Sequence, residues 1–347
     1  MRSEITGELD VNLIAEEWDF PQDEETSSSR INEPRIQSIS DVASIRTYAS
    51  QRIEFLVEDL IAAGTVNVLT GESGAGKTTL VTAICAAVDR GEPFAGLVTQ
   101  RRPVLILDRE NPLPIVVERF DRLGIQDGEN FHVWGGWATE EPPTPFAPIV
   151  MRWVKICDPK PLIVVDSLVS FHGGNENDAT ETRAYMHGFR RLADLGATII
   201  VLHNSGKGES SKDYRGSSDI KASVDVAYHL ANIGANPSRL ELLCLKTFKA
   251  RFTVQPETIF RCVGGRFRID SRSPSQTKTD LLRQLLIANP GIKGLEFEAL
   301  ASDKGLGRDR ARKFLKDGID SGAIQAPSGP FNTHFHTWVA ADTADSY

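Results

Sequence analysis

Cysteine is scarce in this chain. The four present, Cys85, Cys157, Cys244 and Cys262, lie far apart, and no C-x-x-C pair occurs. That spacing argues against a structural zinc site and against a disulfide framework, and the expectation is four reduced core residues. Long apolar runs are also missing, since none approaches the about 18 residues that would read as a membrane span. The N-terminus has no apolar segment of the secretory type. These absences point to a cytoplasmic protein with no membrane partner. Net charge is −8, but one segment dominates it. Residues 1–30 hold nine acids and two bases, which leaves the rest of the chain near −1. A nucleic-acid partner therefore stays open, because local basic patches matter more than the sum.

What is present in strength is Gly71-Glu72-Ser73-Gly74-Ala75-Gly76-Lys77-Thr78. It fits G-x-x-x-x-G-K-[ST], a loop whose glycines let backbone N–H groups turn inward around phosphates. Lys77 is placed to reach the β- and γ-phosphates, and the Thr78 hydroxyl to ligate Mg²⁺. The apolar stretch Val66–Leu69 precedes the loop as a strand should. Thr79 opens a small-residue helical run to Val88, whose N-terminus favours an anion.

In chain order, residues 1–50 read as an acidic, largely disordered arm. Within it, 9–20 place apolar residues among acids, either as a protein-binding peptide that folds on contact or as a solvated tail. Residues 41–63 read as a short helix and a lead-in. From Val66 to Ile269 apolar strands alternate with helices. Strands are expected at Val66–Thr70, Val104–Leu107, Phe131–Trp134, Leu162–Val165 and Thr198–Leu202. Helices are expected at Ile115–Leu123, Ile149–Cys157 and Thr180–Leu195. This is an α/β pattern with a central, mostly parallel sheet covered on both faces. Later strands near Ala227–Leu230, Leu240–Thr247, Thr258–Arg261 and Arg266–Ile269 lack long helices between them and suggest antiparallel edge additions. Residues 271–279 read as a polar linker between a domain at 51–270 and a small one at 280–347. The latter, three helices and a hairpin, has a winged helix-turn-helix pattern.

Several residues carry candidate chemistry. Asp166 ends the run Pro161-Leu162-Ile163-Val164-Val165 and is placed to hold Mg²⁺. Hydrolysis also needs a residue to orient water. Glu110, in Asp108-Arg109-Glu110-Asn111-Pro112, is the choice, with Asp108 its competitor. His203 follows a strand and could contact a γ-phosphate. The glycine-rich segment Ser205–Ser218, with Lys207, Lys212 and Arg215, could touch nucleic-acid phosphates or a neighbouring subunit. Lys246, Lys249 and Arg251 cluster at a strand end, where a cation could act on an adjacent subunit's nucleotide. In the small domain, Lys304, Arg308, Arg310, Arg312, Lys313 and Lys316 cross a turn and helix that could contact DNA, although winged helices also bind proteins.

Together these motifs resemble the RecA-type ATPases, and within them the AAA_25 group of RepA-like, ring-forming plasmid helicases. The likeness covers about residues 53–270 and rests on Gly71–Thr78, Leu105–Pro112, Ile163–Ser167, Val201–Lys207 and Tyr214–Ser218. It implies ATP and Mg²⁺ as ligands, a hexameric homo-oligomer, and single-stranded DNA through the ring. It implies Glu110 as catalytic base, His203 as γ-phosphate sensor and Arg119 stacked on adenine. It offers two trans-acting fingers, Arg215 from the Arg-Gly-Ser segment or Lys249 and Arg251 as in DnaB-type rings. The activity so implied is replicative helicase work for a plasmid, phage or other mobile element. A RecA-like recombination or regulatory ATPase without unwinding, or an ATP-controlled DNA-binding regulator, are the other readings.

Overall fold

The structure is a computed structural model that describes residues 53–126, 128, 130–138, 140, 142–172, 179–204, 218–234, 239–272, 274–330 and 333–339. The acidic arm, Lys207, Lys212 and Arg215 fall outside these residues.

Among the described residues the chain opens with an antiparallel pair, β1 (Phe55–Val57) and β2 (Ile61–Ala62). This differs from the helix and lead-in expected over 41–63, of which 41–52 lie outside the described residues. Leu56, Val57, Ile61 and Ala62 are all buried, so the pair packs as part of the core.

The core is one sheet built from β3 (Val66–Gly71), β4 (Val104–Asp108), β5 (Phe131–Gly135), β6 (Leu162–Asp166), β7 (Thr198–Asn204), β8 (Val226–Asn232), β9 (Leu242–Ala250), β10 (Glu257–Val263) and β11 (Arg266–Ile269). Their order is β11-β10-β9-β8-β3-β7-β6-β4-β5. The run from β8 to β5 is parallel throughout. Antiparallel pairing begins only at β9, so β8 departs from the expected edge addition. Its direction is allowed by the crossover from β7, which carries the short helix Ser218–Ser223.

Both faces of the sheet are covered, which explains why its central strands are apolar without alternation. Leu69, Ile106, Leu162, Val164, Ile200 and Leu202 face one side and pack on α1 (Lys77–Arg90) through Leu80, Val81 and Ile84. Val68, Leu105, Leu107, Ile163, Val165 and Val201 face the other. There they meet α3 (Pro148–Ile156), α4 (Leu168–His172) and α5 (Ala179–Asp194). The helix α2 (Leu113–Leu123) ends at Gly124, whose φ of 65° suits a residue without Cβ. The helix Ser218–Ser223 is α6 in this order.

The C-terminal part holds α7 (Pro274–Ala288), α8 (Gly294–Asp303) and α9 (Arg308–Asp320). A small antiparallel sheet, β12 (Ile292–Lys293), β14 (Phe335–Trp338) and β13 (Ile324–Gln325), pairs in that order. The expected hairpin thus gains a third strand. The expected linker 271–279 is helical from Pro274 onward. Proline suits the first turn of a helix, and the next turn is held by the sheet. Thr277 and Lys278 are buried, and Lys278 Nζ lies 2.6 Å from Glu257 Oε1 of β10. Arg272 pairs with Asp270 at 2.9 Å and with Asp280 at 2.7 Å, tying the end of β11 to α7.

Candidate active site

Parallel register aligns the carboxyl ends of the central strands. Gly71 of β3 is opposite Asn204 of β7, and Asp108 of β4 is opposite Asp166 of β6. Ligands of open α/β sheets bind at this end, where the strand order reverses. β3 lies at such a point, with β7 on one side and β8 on the other.

The loop after β3 is shaped by glycine. Gly74 and Gly76 have φ of 79° and 94°, a region costly for side-chain-bearing residues. Gly71 has a different reason: a Cβ there would lie 2.5 Å from the Leu230 carbonyl oxygen. Gly76 caps α1, and no side chain caps that N-terminus. The helix also has no acidic residue in its first turn, so its leading N–H groups and dipole suit a phosphate.

Lys77 lies beneath this loop, buried, with Nζ donating to Gly71 O at 2.9 Å, Glu72 O at 3.0 Å and Asn204 Oδ1 at 2.8 Å. Burial lowers its pKa from the usual lysine value, while Asp166, Glu110 and Glu72 act in the opposite sense. Thr78 Oγ1 donates to Asp166 Oδ2 at 2.8 Å. The hydroxyl and carboxylate are hard oxygen donors, which suit Mg²⁺ completed by water and phosphate rather than by an all-protein cage. No cluster of three His, Cys, Asp or Glu that could hold a metal occurs among the described residues. Burial, then Asp108 and Glu110, raise the Asp166 carboxyl to about 6 against the Thr78 and Asn111 hydrogen bonds. A cation there would relieve that strain on the charged form.

The turn after β4 separates two carboxylates that sequence left in competition. Asp108 is 2% exposed, and its Oδ1 accepts from Glu110 N and Asn111 N, each at 2.9 Å. Asn111 Nδ2 also donates to Asp108 Oδ2 at 2.9 Å and to Asp166 Oδ2 at 3.2 Å. Asp108 is thus occupied in holding its own turn. Glu110 is exposed, and its Oε1 accepts from Ser170 Oγ at 3.0 Å and from Ser167 Oγ. Arg119, on α2, donates to Asn111 Oδ1 at 3.4 Å beside this group.

His203 lies inside β7 rather than after it and is 1% exposed. It shares the parity of Ile199 and Val201, which belong to the face away from α1. Asn204 has the other parity, and Asn204 is the residue that meets Lys77. Sequence reasoning singled out His203 and missed Asn204; the signal was strand alternation relative to Leu202. Lys249 and Arg251 are at the opposite end of the sheet, where Ala250 pairs with Val226. Lys249 Nζ donates to Ala222 O at 3.0 Å and Val224 O at 2.7 Å, and Arg251 lies 3.2 Å from Asp225. Both are therefore bound within their own chain, far from its own Lys77.

Of the basic residues expected to meet DNA, Arg308, Arg310, Arg312 and Lys313 are all exposed on α9. Arg312 donates to Glu298 at 2.7 Å, and Lys313 to Asp317 at 2.8 Å.

Residues 32–210 match the AAA_25 family model, described as an AAA domain. No curated protein matches the sequence. Among solved structures, the chain is similar to the flagellar accessory protein FlaH from Methanocaldococcus jannaschii, with 16% identity and a TM-score of 0.45. That match covers 63% of this chain and 100% of FlaH. The phosphate loop, the paired carboxylates and the family match lead to one conclusion: the chain belongs to the AAA_25 family and contains an AAA-type P-loop ATPase domain.

Proposed function

We propose that this protein is a Mg²⁺-dependent ATPase that acts as a ring and whose output is DNA strand unwinding in the replication of a mobile element.

 The protein hydrolyses ATP between the subunits of a hexameric ring, and it couples turnover to unwinding DNA for a plasmid, phage or other mobile element. The observation that carries the hydrolytic half is the row at the carboxyl ends of β3, β4 and β6, where Lys77, Thr78, Asp166 and Glu110 converge. In this reading the loop amides and Lys77 bind the phosphates, and Arg119 stacks on adenine. Mg²⁺ held by Thr78 and Asp166 would neutralise charge on the β- and γ-phosphate oxygens. A water oxygen bonds to the γ-phosphorus, the bond from that phosphorus to the bridging oxygen breaks, and ADP leaves. The water proton passes to the Glu110 carboxylate, which is exposed where Asp108 is buried and engaged. Asn204, which meets Lys77, takes the γ-phosphate sensing role in place of the buried His203. Arg215, or Lys249 with Arg251 once released from their contacts at Val224 and Asp225, reaches the neighbouring subunit's nucleotide.

DNA is supported by composition and placement. The C-terminal helices and three-stranded sheet fit a winged helix-turn-helix, with α9 as the recognition helix. Its exposed Arg310 and Lys316 have no ion pair given by the geometry among the described residues, and they suit backbone phosphates of duplex DNA. Lys207 and Lys212 serve single-stranded DNA in the ring, and the acidic arm serves a protein partner. The test is ATP turnover and forked-duplex opening, each measured with and without single-stranded DNA, alongside the oligomer mass. DNA-stimulated turnover with strand opening by a hexamer supports the reading. Turnover without opening in every oligomeric state refutes the motor and leaves a switching ATPase.

A further inference from the structure

One oxygen of the Glu110 carboxylate accepts hydrogen bonds from two serine hydroxyls. Ser170 Oγ donates to Glu110 Oε1 at 3.0 Å, and Ser167 Oγ donates to the same oxygen. Ser167 follows the Asp166 strand end, and Ser170 lies on α4. The turn bearing Glu110 is anchored to the same short helix by its neighbour. Arg109 donates to Ser170 O at 3.3 Å and to Pro142 O, and its guanidinium lies 4.4 Å from the Phe171 ring centroid. Arg109 N also donates to Asp166 O at 3.0 Å. Side chain and backbone of the base turn are therefore both referred to α4 and the end of β6.

We propose that Ser170, aided by Ser167, is a positioning residue for the general base. An exposed glutamate samples several rotamers, and only those that bring an oxygen to the attacking water are productive. Two hydroxyl donors on Oε1 select one carboxylate orientation and leave Oε2 to align the water and take its proton. Charge-assisted hydrogen bonds are strong enough to make that selection in a solvated site. The proposal rests on the reading of Glu110 as the base, and it assigns Ser170 no contact with nucleotide.

The experiment compares Ser170→Ala, Ser170→Thr and Glu110→Gln in the full chain. It records steady-state ATP turnover and, separately, the affinity for a fluorescent ADP. Ser170→Ala is expected to lower kcat about tenfold, the loss expected of one hydrogen bond to a charged group. KM and ADP affinity stay at the wild-type values. Ser170→Thr keeps the hydroxyl and restores kcat to within about threefold of wild type. A wild-type kcat in Ser170→Ala, with hydrolysis abolished in Glu110→Gln, overturns the positioning role and leaves the base in place. A raised kcat also overturns it, by showing that the serines hold Glu110 away from water. Weakened ADP binding, with no rescue by Thr, assigns Ser170 a structural role instead. Undiminished hydrolysis in Glu110→Gln removes the base reading itself.

Discussion

Replacing Asp166 by Asn is expected to stabilise the nucleotide-free protein while it removes Mg²⁺-dependent turnover. The carboxyl is 3% exposed, and burial is the largest influence on it, followed among the raising influences by the charges of Asp108 and Glu110. Its pKa rises from 3.8 to about 6. A carboxyl that binds its proton more tightly in the folded state favours folding fully below its unfolded pKa. That contribution is lost as pH rises through the folded pKa, so the window here runs from about 4 to about 6. A rise of about two units corresponds to about 3 kcal/mol of destabilisation at pH 7.5. Asn carries no charge, and its Oδ1 can still accept from Thr78. Thermal melting in EDTA across pH 4 to 8 is the assay. The variant is expected to melt higher at pH 7.5 by on the order of 5 °C and to converge with wild type near pH 4. Saturating Mg²⁺ and a non-hydrolysable ATP analogue should narrow or reverse the gap, because wild type gains more from binding. A variant that melts lower than wild type at pH 7.5, or a difference independent of pH, refutes the reasoning.

Gly71→Ala forces a Cβ to within 2.5 Å of the Leu230 carbonyl oxygen, and backbone cannot move aside cheaply. A loss of about 1–3 kcal/mol is expected in urea unfolding, together with weaker nucleotide binding. Lys278→Ala leaves Glu257 without its buried cation at the junction of α7 and β10. The expected cost is about 3 kcal/mol, and limited proteolysis should release the C-terminal helices earlier than in wild type. Arg310→Glu with Lys316→Glu should weaken duplex DNA binding and reduce the slope of log affinity against log salt by about 2, with DNA-independent ATP turnover unchanged. An unchanged slope would assign α9 to a protein partner.

The sequence by itself determined the elements whose causes are local. Continuous apolar runs such as Val104–Leu107 and Leu162–Val165 mark strands buried on both faces. The strand ends that lead into Lys77 and Glu110, and the one that carries Asp166, could be located for the same reason. Tertiary structure alone decided which neighbours those residues meet. The parallel direction of β8 depends on its pairing with β3, some 160 residues earlier in the chain, counted from Asn67 to Val226. The helix over the expected linker depends on Glu257 and a sheet face that hold Lys278 and Thr277, which local polarity could not report. The sequence favoured Glu110 over Asp108 by position and resemblance alone, with no physical reason for setting Asp108 aside. The turn that consumes Asp108, and the serines of a distant segment that meet Glu110, supply that reason. His203 and Asn204 differ by one position, and strand alternation relative to α1 sends Asn204 to Lys77. Periodicity fixes what a residue is built into, whereas contacts between segments far apart in the chain set what it touches.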